Sequence, residues 1–126
     1  MKPALRKPAS TRSFDAVRRV GLTFPGVEAA VRYDGTPVLK AGGCFMAGLA
    51  SHESAEPDTL VVRCPVETRD ALLEDAPETY YLTDCYEPHP VVLARLSQLT
   101  PDALHDLLSV SRRLALAKTR KRNRQD

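Results

Sequence analysis

Three side chains that could support nucleophilic catalysis lie in one segment of the chain: Asp84, Cys85 and His89. A cysteine nucleophile needs a histidine base within hydrogen-bond reach and a third group that orients this base. The C-x-x-x-H spacing in a proline-rich turn provides such residues, but no sequence typical of an oxyanion loop accompanies them. We therefore interpret the segment as a structural turn, with catalysis and metal binding as the less favoured alternatives.

A second polar segment contains residue types that bind metals, namely His52, Glu53, Glu56 and Asp58. Their spacing matches no zinc motif and no calcium loop, so we interpret the segment as a surface loop. The pair Gly42-Gly43 belongs to no phosphate-binding or dinucleotide-binding fingerprint, and no hydrolase or metalloprotease motif is present. We expect no metal, no cofactor and no enzymatic activity.

Basic residues are concentrated at the two ends of the chain. Residues 1–12 contain four basic residues and no acidic residue, whereas residues 112–126 contain seven basic residues and one acidic residue. The middle, residues 13–111, has seven basic residues against fifteen acids, a net charge of −8. Binding to phosphate requires a basic surface, because counterion release dominates the affinity. Any affinity for a polyanion must therefore come mainly from the ends.

These ends give a candidate nucleic-acid-binding set. The set consists of C-terminal cations and of two residues predicted to lie on the sheet, Lys40 and Arg95. The C-terminal cations are Arg112, Arg113, Lys118, Arg120, Lys121, Arg122 and Arg124. Assisting residues near the start of the chain are Lys2, Arg6, Lys7 and Arg12. We expect weak, non-specific binding to DNA or another polyanion, because contacts to phosphate do not read bases. The alternative is a solubilising tail, which is common at chain termini.

Apolar periodicity and turn residues predict the element order α-β-β-β-α-β-β-α. A flexible basic arm, 1–12, precedes one domain, 13–117, and a basic tail, 118–126, follows it. The first predicted helix begins at the Ser13 cap, and the other two span 66–75 and 101–117. The predicted strands span 36–40, 44–49, 59–63, 79–83 and 91–96. Within 44–49, alternation puts Phe45, Ala47 and Leu49 on one face of the strand.

This order predicts an α+β fold. Helices and meander strands are partly segregated along the chain, which favours a two-layer sandwich of a mostly antiparallel sheet with helices on one side. The chain has 126 residues, which suits a single domain of this kind.

No targeting or membrane signal is visible in the sequence. The first ten residues lack the apolar core of a signal peptide, and no apolar run approaches the roughly 18 residues of a membrane span. The three cysteines, Cys44, Cys64 and Cys85, are far apart and odd in number, which is not typical of a disulfide framework. We expect a cytoplasmic protein without membrane association.

Several local motifs in a fixed order resemble the MmcQ/YjbR family. The residues that carry the resemblance are the segments 22–28 (LTFPGVE), 33–40 (YDGTPVLK), 43–47 (GCFMA), 89–96 (HPVVLARL) and 111–118 (SRRLALAK). The resemblance covers roughly residues 14–118. It implies a two-layer α/β fold similar to that of secretion chaperones, and it implies DNA binding.

A protein-interaction module is the alternative function. Glu67, Asp70 and Glu74 recur on one face of the second predicted helix and could receive a basic partner, although a solvated helix face explains them as well. A sheet covered on one side also leaves a surface or an edge for a partner. The tyrosines at 33, 80 and 81 are interpreted as packing residues rather than as a base-stacking platform.

Overall fold

The computed structural model describes the backbone of residues 6–125 and the side chains of residues 14–121. The helices are α1 (Arg6–Gly21), α2 (Val66–Asp75) and α3 (Pro101–Gln125). The strands are β1 (Val27–Val31), β2 (Pro37–Ala41), β3 (Cys44–Leu49), β4 (Thr59–Arg63), β5 (Tyr80–Tyr81) and β6 (Val91–Arg95). A short 3₁₀ helix, Leu96–Gln98, connects β6 to α3.

The six strands form one antiparallel sheet in the order β1-β2-β3-β4-β6-β5. The helices pack against this sheet, so the predicted α+β class and antiparallel pairing are confirmed. The prediction missed β1, which it placed in a loop. β1 has a weak apolar pattern because it is an edge strand and three of its five residues are exposed.

The main core lies between the sheet and helices α1 and α3. Leu60, Val62 and Val92 point from the central strands towards Val17 of α1 and Leu108 of α3, and all five side chains are fully buried. Thr100 begins α3 as its cap, because its hydroxyl oxygen accepts a hydrogen bond from the amide of residue 103 at 3.1 Å. The predicted start of this helix is confirmed.

A smaller apolar cluster lies on the opposite face of the sheet. Val61, Val91 and Leu93 are buried there, and among the described residues no helical side chain belongs to this cluster. The loop between β3 and β4 and the turn before β6 cover this face instead, with Tyr81 and Tyr86 packing on the cluster. This second face carries the candidate site described below.

Two helices are longer than the sequence predicts. The first begins at Arg6 rather than at Ser13, because Pro8 falls in the first turn, where the missing N–H has no acceptor within the helix. The last continues to Gln125 rather than ending near Ala117, because lysine, arginine and glutamine favour helices and no glycine or proline interrupts them. No helix in the described part of the chain is long and apolar enough to cross a membrane.

Strand β3 contains a β-bulge, which alters the predicted alternation. Leu39 pairs with Ala47 and Lys40 pairs with Phe45, so Met46 is an extra residue without a partner on β2. Met46 and Ala47 consequently both face the main core, whereas Phe45 faces the opposite side. The prediction that Phe45 and Ala47 share a face is wrong for this reason.

The bulge is held by Ser111 of α3, which yields the first prediction. The fully buried Ser111 hydroxyl donates a hydrogen bond to the carbonyl oxygen of Met46. We expect Ser111→Ala to lower the free energy of unfolding by about 1–2 kcal/mol, because a buried acceptor loses its donor. Urea unfolding followed by circular dichroism measures the change. Ser109→Ala on the same helix is the control and should change stability by less than about 0.5 kcal/mol.

Candidate functional site

Two adjoining cavities open at one end of the sheet. The first has a volume of about 430 Å³ and the second of about 620 Å³. Arg63, Pro90 and Lys118 line both of them, so together they form one continuous depression, here called the basic groove. The first cavity is completed by Arg32, Phe45, Val61, Tyr86, His89 and Val91. The second is completed by Leu114, Ala117, Arg120 and Lys121.

The length of α3 brings its cations to this end of the sheet. A helix of 25 residues extends about 38 Å, whereas strands of five or six residues extend about 17–20 Å. The last turns of α3 therefore pass the strand ends, where Thr119 donates a hydrogen bond to the carbonyl oxygen of Gly42 at 2.8 Å. A side chain at position 42 would lie 2.7 Å from that hydroxyl, so a glycine here permits the close approach. Lys118 lies next to this anchor.

Arg32 and Arg63 both depend on Phe45 for their positions. The Nε of Arg63 donates a hydrogen bond of 2.7 Å to the carbonyl oxygen of Phe45. The guanidinium of Arg32 lies 5.7 Å from the centre of the Phe45 ring, within the range of a cation–π contact. Its Nη1 donates to Thr36 and to the carbonyl of Leu49, each at 2.8 Å. Both arginines are thus fixed and half-buried before any ligand binds.

Gly48 leaves the room that this arrangement needs. A side-chain carbon built at position 48 would lie 3.1 Å from Nη2 of Arg32 and 3.1 Å from the Phe45 ring. It would also lie 2.6 Å from Val38, its cross-strand partner on β2. The absence of a side chain therefore lets the arginine and the ring approach the sheet.

The far wall of the first cavity is the turn before β6, and the buried Arg69 fixes this turn. Nη1 of Arg69 donates hydrogen bonds to the carbonyl oxygens of Glu87 at 3.1 Å and His89 at 2.9 Å. Nε of Arg69 lies 3.8 Å from a carboxylate oxygen of Asp70, which is too long for a hydrogen bond. The hydroxyl of Tyr86 accepts a bond from the amide of His52 at 3.3 Å. The turn is therefore held from both sides.

The groove carries positive charge without a compensating carboxylate. Five cations line it, and among the described residues no aspartate or glutamate does. The ion pairs of the described part of the chain involve other basic residues, namely Arg18, Arg69, Arg95 and His105. A concave site lined by one sign of charge focuses its field and attracts anions.

Three of the predicted binding residues meet in this groove. Lys118, Arg120 and Lys121 are exposed on the final turns of α3 and line the second cavity. Sequence reasoning missed their partners, Arg32 and Arg63. The alternation of β4 contained a signal for Arg63, because every second residue of a strand shares a face and Arg63 therefore lies with Val61, away from the helices. Arg32 follows β1, which the sequence pattern predicts as a loop, so its position carries no such signal.

Arg95 lies elsewhere and already has partners. Its guanidinium binds both carboxylate oxygens of Glu56, at 2.9 and 3.0 Å, and stands 4.4 Å from the centre of the Tyr81 ring. It also donates to the carbonyl oxygens of Pro77 and Glu78. The hydrogen bond from Arg95 lowers the pKa of Glu56, which keeps this pair charged. Arg95 therefore ties the β3–β4 loop to β6.

The remaining predicted residues are not brought into the groove. Arg112 donates a hydrogen bond of 2.7 Å to the carbonyl oxygen of Pro25, and Arg113 reaches Ser109 at 3.5 Å. Lys40 is half-buried on β2, opposite Glu28, and lines neither cavity. Lys2 and the side chains of the other predicted terminal cations lie outside the described residues: Arg6, Lys7, Arg12, Arg122 and Arg124.

Neither a cysteine–histidine pair nor a cluster of metal ligands is present among the described residues of the two polar segments. No hydrogen bond joins Cys85 to His89, whose amide instead donates to the carbonyl oxygen of Tyr86 at 3.0 Å. Nδ1 of His52 accepts a hydrogen bond from the amide of Ser54 at 3.0 Å. No three histidine, cysteine or acidic side chains among the described residues converge as metal ligands would.

Comparison with known proteins yields no relative from which a function could be transferred. No protein-family model matches the chain, and no curated protein matches it significantly. What the chain does must therefore be inferred from its own residues.

The space above Gly48 gives a second prediction. Gly48→Ala should lower the free energy of unfolding by about 1–3 kcal/mol, because the added methyl group overlaps Val38 and crowds Arg32. Chemical denaturation measures the loss. The double variant Gly48→Ala/Val38→Ala is the matched test, since shortening Val38 removes the closest contact. Its loss should be smaller than the sum of the two single losses; strict additivity would contradict the steric explanation.

The cysteines give a third prediction. Burial raises the pKa of the Cys64 thiol to about 11, and Cys44 is buried as well, whereas Cys85 is exposed. At about pH 8 only about one Cys64 thiol in a thousand is ionised, so a thiol reagent should react rapidly with Cys85 alone. A chromogenic disulfide titration should count one fast thiol in the native protein and three after denaturation. Cys85→Ser should abolish the fast phase; a remaining fast thiol would contradict the burial of the other two.

Proposed function

We propose that this chain binds nucleic acid weakly and without sequence preference through the basic groove. One observation carries the proposal: five cations from three separate parts of the chain converge on one concave surface without a carboxylate among its described lining residues. The local motifs that resemble the MmcQ/YjbR family imply DNA binding, so the sequence-based expectation agrees with this proposal. The location differs from the sequence-based expectation, because two of the cations belong to the folded body and not to the termini.

The chemistry of the groove suits phosphate. Arginine presents several N–H donors in a planar fork that matches phosphate oxygens, and lysine adds a mobile point charge. Arg32 and Arg63 are held in place by the fold, so little conformational entropy is lost when they bind. Lys118, Arg120 and Lys121 are exposed and can follow a flexible backbone.

The affinity should be modest and strongly dependent on salt. Five phosphate contacts would give a steep decrease of affinity with salt concentration, because each contact releases a condensed counterion. The segment 13–111 has a net charge of −8, so the protein surface outside the groove repels a polyanion. Contacts to phosphate position a protein without reading bases, so no sequence preference is expected.

A protein-interaction module is the second candidate. It is supported by the edge strand β1. This strand pairs with β2 on one side, and no strand of the described residues pairs with its other side. Its last residue, Val31, is 68% exposed. Tyr33 in the following turn is fully exposed, and the acidic side chains of α2 face solvent. An extended partner could add a strand at this edge through main-chain hydrogen bonds. Such binding would persist at high salt, which distinguishes it from phosphate binding.

Charge reversal on α3 tests the proposed function. Lys118→Glu removes one cation shared by both cavities and introduces repulsion, so binding to oligonucleotides should weaken at least about tenfold at about 50 mM salt. Fluorescence anisotropy with labelled single strands and duplexes measures the affinity. The salt dependence of the residual binding should be shallower by about one unit of the logarithmic slope.

Arg113→Glu is the matched control for this prediction. Arg113 is exposed on the same helix, its substitution changes the charge equally, and it does not line the groove. Long-range electrostatics alone would make the two variants equivalent. If both weaken binding to the same extent, or if the unmodified chain binds no oligonucleotide at low salt, the proposed function is wrong.

A further inference from the structure

The first cavity has features that a phosphate-binding surface alone does not require. Its volume of about 430 Å³ lies in the range of small-ligand pockets, about 300–1,000 Å³. Its lining includes the aromatic side chains Phe45, Tyr86 and His89 beside Arg32 and Arg63. Aromatic faces next to cations are the usual means of holding an unstacked base.

A duplex cannot use this cavity. Arg32 and Arg63 are half-buried and line the cavity together with Phe45 and Val61. A double helix keeps its bases stacked inside and presents its phosphates on a stiff convex surface, so its bases enter a pocket only after unstacking. A single strand has bases and phosphates available at once and can bend into the depression.

The second cavity continues the path for the backbone of such a strand. It shares Arg63 and Lys118 with the first cavity and adds Arg120 and Lys121. Lys118 and Lys121 are three residues apart on a helix, so they lie on neighbouring turns about 4.5 Å apart along the axis. Successive phosphates can therefore be neutralised while one base occupies the pocket.

We infer that the ligand of the basic groove is a single-stranded nucleic acid, with one base in the first cavity and its adjacent phosphates on Arg63, Lys118 and the final turns of α3. This inference rests on the proposed function and specifies its substrate class. Tyr86 is the residue on which the preference for single strands depends most directly, because the turn that carries it is fixed by Arg69 and its hydroxyl is held by His52. Its ring is therefore positioned before binding.

The test compares three probes of about 12 nucleotides: a single strand, the same sequence as a duplex, and a single strand whose central nucleotides lack their bases. Anisotropy of the full chain should show the single strand bound at least about tenfold more tightly than the duplex and than the abasic strand. Tyr86→Leu removes the ring but keeps an apolar side chain. It should weaken single-strand binding about tenfold and leave abasic-strand binding unchanged.

Tyr86→Phe is the matched control, because it keeps the ring and loses only the hydroxyl that accepts the bond from His52. It should lose less affinity for the single strand than Tyr86→Leu does, because the ring remains and Arg69 still fixes the turn. Thermal unfolding of each variant establishes that it is folded. Equal affinity for all three probes, or an equal loss for Tyr86→Leu on the intact and abasic strands, would overturn the inference. The proposed function would survive that result as long as Lys118→Glu weakened binding, whereas absence of binding to every probe overturns both.

Discussion

The β-bulge in β3 is the constraint on which the groove depends. The extra residue, Met46, puts two successive side chains into the core and turns Phe45 to the opposite face. The pairing of β3 with β4 stops at Ala47, so the carbonyl of Phe45 is left to accept the side chain of Arg63. Ser111 of α3 holds the bulge from the core side. Without the extra residue, the register of this strand would shift and both arginines would lose their common support.

The long helix α3 connects this bulge to the charge at the end of the chain. Its middle contacts the bulge through Ser111, and Thr119, two turns later, anchors it to the β2–β3 turn at Gly42. The same helix that packs the core thus carries Lys118 to the end of the sheet beside Arg63. Arg63 and Lys118 are far apart in the sequence, but they line the same cavity because α3 continues beyond the end of its apolar face.

The sequence predicts regular elements well where one physical signal dominates. β4, α2 and the start of α3 have the predicted bounds, because an apolar strand, a proline directly before a helix and a threonine cap are local signals. β1 was missed because an edge strand buries too little to show a clear period. The sequence predicts only part of the groove. The cations of α3 form a cluster of charge that is visible in the sequence. The bulge that positions Arg63 and Arg32 is not, because it depends on pairing between distant residues.

Two other arginines, Arg69 and Arg95, have more protein partners than the cations of the groove. Buried Arg69 is held by backbone carbonyls, and Arg95 is held by Glu56 and two carbonyls. Arg32 and Arg63 each give one nitrogen to the protein, and their other nitrogens have no partner among the described residues. Like charges gathered in this way destabilise the free protein, and such departures from local consistency are expected at functional sites. A bound polyanion would remove the repulsion, so the free energy of binding and the stability of the fold are coupled through the same charges.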